Sequence, residues 1–165
     1  MNKIISPSRH FFLLWIIYVI SLTCHAQSAS GRGLMLSSEP LFQELHRGQF
    51  IENHQLTAKN IKVLDSMAAY QKVLTDYSRE PAKAVDFSKG RVVLVGMGQQ
   101  MTGGYQVQVA SVEAHSSHVV VKIQLIVPSS ECMLIEALTH PYQFVYVTSN
   151  KQIVVQEALL VSDCR

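Results

Sequence analysis

Between His118 and Pro128 the odd positions are Val119, Val121, Ile123, Leu125 and Val127, while His118, Lys122 and Gln124 interrupt them at even ones. A side-chain period of 2 belongs to an extended strand with one apolar face, which must be covered by a second layer. Pro128 cannot donate to a ladder and stops the strand. The same period recurs where Tyr105, Val107 and Val109 alternate with Gln106 and Gln108, and where Tyr142, Phe144 and Tyr146 alternate with Gln143, Val145 and Val147. Arg91–Gly96 (RVVLVG) and Ile153–Leu160 (IVVQEALL) add further strand patterns. Short joints at Ala114-His115-Ser116-Ser117 and Thr148-Ser149-Asn150-Lys151 predict hairpins, and hairpins make antiparallel neighbours.

Ahead of Arg91 the pattern is helical or mixed. Residues 41–47 (LFQELHR) predict a short helix ending at Gly48, with Ser38 or Glu39 before Pro40 as its start signal. Ile61–Leu64 reads as a brief strand. Asp65 or Ser66 then caps a helix whose Met67, Tyr70, Leu74 and Tyr77 form one apolar stripe, and Pro81 closes that region. The expected class is mainly β (α+β): a small antiparallel β-sandwich or half-open barrel with one or two N-terminal helices. The expected segments are a signal peptide at 1–26, a leader with the short helix at 27–58 and a β domain with one helix at its start over 59–165.

At 165 residues, 48% hydrophobic and 16% charged, the chain has the length and composition of one domain with a buried core. A formal charge of +2 with dispersed Lys and Arg gives no stripe for a phosphate backbone, which argues against nucleic acid. Lys3 and Arg9 flank the ten-residue apolar run Phe11–Ile20 (FFLLWIIYVI), and Cys24-His25-Ala26 precedes Gln27 in the manner of a cleavage site. A membrane-spanning helix needs roughly 20 apolar residues, so this run predicts export to the periplasm or medium with cleavage after Ala26. Lipid attachment at Cys24 is the rival reading. Export leaves Cys132 and Cys164 as an even pair in an oxidising compartment, and the expected disulfide between them closes about 30 residues and contributes roughly 3.5 kcal/mol.

Met101-Thr102-Gly103-Gly104-Tyr105 joins two of the strand patterns. Paired glycines allow a positive φ, a threonine hydroxyl can bind turned backbone, and a tyrosine ring can hold the loop to the sheet. The expectation is a rigid loop at one end of the fold. His46, His54, His115, His118 and His140 do not combine with a nucleophile elbow, a zinc helix or a Walker loop. Gly96-Met97-Gly98 lacks the following helix that a dinucleotide fingerprint needs. No catalytic residue, metal site or cofactor is expected. His115 and His118 read as turn residues, and His140 as a loop residue.

The run Val85-Asp86-Phe87-Ser88-Lys89-Gly90-Arg91-Val92-Val93, then Leu94-Val95-Gly96-Met97-Gly98 and Thr102-Gly103-Gly104-Tyr105, resembles the C-terminal domain family of the protease-complex subunit PrcB. Pro128 and Pro141-Tyr142 are similar to it as well. The resemblance covers about residues 60–160 and implies an exported, non-enzymatic domain that binds protein, stabilising or modulating an extracytoplasmic protease complex. Thr102, Gly103, Gly104, Tyr105, His140, Pro141 and Tyr142 are the expected partner-binding residues. A more distant resemblance, to chagasin-type cysteine-protease inhibitors with T-T-G-Y and R-P-W loops on an immunoglobulin-like sandwich, implies direct inhibition. His140 and Tyr142 stand there in place of arginine and tryptophan. A structural envelope protein with no protease partner is the remaining alternative.

Overall fold

The computed structural model describes residues 40–163. The expected signal segment, the cleavage or lipidation site at Cys24, and Cys164 lie outside them. The described elements are β1 (Phe42–Gly48), β2 (Asn60–Leu64), α1 (Met67–Leu74), β3 (Arg91–Gly96), β4 (Gln106–Ala114), β5 (His118–Pro128), β6 (Tyr142–Val147) and β7 (Gln152–Ser162). One sheet runs β1-β6-β3-β2 and the other β4-β5-β7. They form an open sandwich, not a closed barrel, with α1 on the outer face of the four-stranded sheet.

β3 and β6 are the interior strands of that sheet, and each buries both faces. Val93, Val95, Val145 and Val147 point between the sheets, where they meet Val119, Val121 and Ile123 of β5. Val92, Leu94 and Phe144 point the other way and pack with Tyr70, Leu74 and Tyr77 from the helical segment. The Tyr77 ring stands edge-on to Tyr142 at 5.1 Å and to Phe144 at 5.5 Å. Ser66 is the N-cap, its hydroxyl accepting from Ala69 N at 3.3 Å. The helix pattern read from Met67, Tyr70, Leu74 and Tyr77 is therefore present, and so is the strand at Ile61–Leu64.

Residues 41–47 do not form the expected helix: they lie in β1, paired antiparallel with β6 from Phe42↔Val147 to Gly48↔Tyr142. A bulge between Glu44 and His46 puts the consecutive Leu45 and His46 in the interior together, which erases the period-2 signature. Gly48 completes the fit, because a Cβ there would stand 2.5 Å from Tyr142 Cε1. Only one helix, α1, is present among the described residues.

The β4–β5 joint is a hairpin as expected, but the 148–151 joint is not. β6 already has β1 and β3 on its two sides, so the chain crosses to the other sheet. There β7 pairs parallel to β5 from His118↔Gln152 to Pro128↔Ser162, and the antiparallel expectation for this strand fails.

Candidate functional site

Three connections meet at one end of the sandwich: 49–59 after β1, 97–105 from β3 to β4, and 129–141 from β5 to β6. Backbone hydrogen bonds stitch them together. Gln100 and Thr139 exchange a bonded pair, with N to O distances of 2.8 and 3.0 Å, Gly103 N donates to Ile135 O at 3.0 Å, and Met97 N donates to Pro141 O at 2.8 Å. The 49–59 connection is tied in through Gln99 N to Thr57 O at 2.9 Å and His140 N to Gln49 O at 2.7 Å. Thr139 Oγ1 donates to the carbonyl of Thr102 at 2.9 Å.

The expected loop and the 139–142 segment are thus neighbours, but they do different jobs. Thr102 and Tyr105 are half-buried and Gly104 is exposed. Tyr105 lies just ahead of β4 instead of opening it. Gly104 alone of the glycine pair has a positive φ, +88°. Gly103 is buried, and a Cβ on it would come within 2.9 Å of Ile135 Cγ1. His140, Pro141 and Tyr142, the other expected partner-binding residues, are all buried. Tyr142 is the first residue of β6 and faces the helix-side core, so its ring acts as a foundation under the loops.

The surface at this end is made by residues outside the expected partner-binding set. Met101 is 72% exposed, Ile135 71%, Phe50 65% and Leu138 53%, and Met133 is fully exposed. Phe50 and Leu138 line a cleft of about 200 Å³ with Ile51, His54, Gln99 and His140. The His140 and His54 rings sit with centroids 6.4 Å apart across that cleft. Burial, and then the neighbouring His54, hold the His140 imidazole below its ordinary range. Isolated apolar residues in polar loops read as core in a single sequence, which is why this set was missed; the run Met133-Leu134-Ile135 was its one visible signal.

Among the described residues the remaining histidines sit elsewhere. His115 and His118 stack at 4.6 Å on the β4–β5 hairpin at the opposite end, as turn residues. His46 is buried under α1, with Nδ1 2.9 Å from Glu80 Oε2. Among the described residues no three His, Cys, Asp or Glu side chains converge to hold a metal ion. Cys132 lies in the 129–141 connection with Sγ 3.5 Å from Ser129 Oγ, while its expected partner Cys164 is outside the described residues.

The segment that builds these loops also carries the similarity to a known family. Residues 91–148 match the PrcB C-terminal family. The match runs from the start of β3 through β6 and includes two of the three stitched connections, 97–105 and 129–141, with the Thr102–Tyr105 run, while 49–59 falls outside it and Val85–Gly90 lies just before it. β7, α1 and the first two strands fall outside the PrcB C-terminal match. Neither a curated protein nor a solved structure matches the chain.

Proposed function

We propose that this is an exported, non-enzymatic binding module that docks onto a protein of an extracytoplasmic protease complex through the stitched loop end. One observation carries the reading: Met101, Ile135, Leu138 and Phe50 stand exposed on connections whose backbones are hydrogen-bonded to one another. Large apolar side chains held on a rigid frame lose little conformational entropy when they are covered. The PrcB C-terminal match supports a protease assembly as the setting. Export rests on Lys3, Arg9 and the Phe11–Ile20 run.

A Cys132–Cys164 disulfide belongs to the same reading. The ends of β5 and β7 lie side by side, with Ser129 N donating to Ser162 O at 3.1 Å, so the chain leaves β7 close to the connection that holds Cys132.

Direct inhibition of the chagasin type is the weaker alternative, because Pro141 and Tyr142 are buried and only the 102–105 loop would be left to enter a cleft. Crosslinking in the intact envelope of the source cell, comparing wild type with Met101→Asp/Ile135→Asp, tests docking. The expected result is loss of the crosslinked partner with the melting temperature unchanged. Retention of the same partner by the variant would refute docking at this end.

A further inference from the structure

β7 carries its sheet past the region that the other sheet covers. Along the parallel β5–β7 ladder, odd-numbered residues share the face turned to the other sheet. Val119, Val121 and Ile123 are buried there, and Ile153 and Val155 pack on the same core. Farther along that face, Leu159 and Val161 are 66% and 67% exposed. Among the described residues β7 is also the margin of its sheet, with β5 on one side only, so alternate N–H and C=O groups on its other side have no partner within the described sheet.

Sheets guard such an edge with lysine, proline, a bulge or a short strand. β7 has 11 residues, no Lys, no Pro and an unbroken register with β5. Its single charge, Glu157, is paired with Lys59 at 2.7 Å. An identical strand is complementary to it. Antiparallel pairing about a twofold axis at Glu157 sets Val155 opposite Leu159, Val154 opposite Leu160 and Ile153 opposite Val161. The same register brings the exposed Lys151 of each copy to the exposed Asp163 of the other. At the axis the facing Glu157 carboxylates each keep a Lys59 ammonium beside them.

We propose that the free edge of β7 pairs with β7 of a second copy of this chain, giving a continuous β4-β5-β7-β7-β5-β4 sheet. Leu159 and Val161 are then covered by the partner's Val155 and Ile153. The proposal is independent of the loop end, which uses other residues.

Sedimentation equilibrium of the purified protein over a concentration series tests it. Wild type should approach twice the monomer mass. Asp163→Lys sets Lys against Lys at both symmetric contacts and should raise the dissociation constant roughly tenfold. Lys151→Asp should do the same, although it also removes the bond from Lys151 Nζ to His115 O, at 2.7 Å, which Asp163→Lys leaves intact. The swapped double variant Lys151→Asp/Asp163→Lys should recover the wild-type value. Unchanged circular dichroism confirms that each variant is folded. A wild-type monomer at every concentration, a dimer indifferent to either single reversal, or a double variant as weak as the singles would each overturn the proposal.

Discussion

At Gly104 a φ of +88° coincides with crowding: an added Cβ would come within 2.9 Å of Leu134 Cδ2 and 3.2 Å of Pro128 Cβ. At Gly103 the backbone is ordinary and the crowding comes from Ile135 Cγ1, on a side chain that is largely exposed and free to shift. The two positions should therefore respond differently to the same methyl group. Gly104→Ala is expected to lower unfolding free energy by about 1 to 2 kcal/mol through the positive φ, with the contact adding to it. Gly103→Ala should cost less than about 1 kcal/mol. Urea denaturation of the two variants measures the difference, and equal losses would contradict this account. Two adjacent glycines announced a constrained loop from sequence alone, but which one turned the chain depended on the 129–141 connection packed over them.

Among the elements, β4 and β6 are joined across the sandwich by a side chain. β4 carries a bulge between Val109 and Ser111, and the Val109 N–H points to Gln143 Oε1 at 2.6 Å instead of to a strand. Gln143 Nε2 in turn donates to Glu44 Oε2 of β1 at 2.5 Å. Gln143→Leu keeps the volume and removes both bonds, stranding the Val109 N–H in the interior. A loss of about 1 to 3 kcal/mol is expected by thermal or chemical unfolding. A neutral substitution would mean that the bulge finds another partner. Strands were legible where alternation ran unbroken, as in β5, and α1 was legible from its stripe and cap. β1 was not, because its bulge puts Leu45 and His46 on the inside together. The partner of β7 was not legible either. It follows from β6 being flanked on both sides, a fact of the assembled sheet and not of residues 148–151.

For the whole molecule, His140 links acidity to stability. Its imidazole, buried beside His54, has a folded-state pKa below the ordinary 6.5. The unfolded chain therefore binds a proton at a higher pH than the native state does. Stability contributed by neutral His140 is fully present above about pH 6.5 and is lost as pH falls through that value toward the folded pKa. The unfolding free energy should decline from pH 7 to pH 5, and a His140→Gln variant should show a shallower slope. An identical slope would assign the effect to other groups. Because His140 lies under the cleft lined by Phe50 and Leu138, the same protonation should loosen the end that carries the proposed docking surface. That end could be located only in part from sequence: Thr102–Tyr105 marked it, while Phe50, Ile135 and Leu138 gained meaning when the chain folded.

β5 and β7 are sheet partners, yet the chain between them leaves for the other layer, forms β6 there and returns. Neither layer can be completed while the other is unmade, since β6 is an interior strand of one and its two ends lead to neighbouring strands of the other. Folding must close contacts between distant parts of the chain before the parallel ladder can form, which favours slow, all-or-none assembly over stepwise growth. The crossing of the chain between layers thus makes the domain a single cooperative unit.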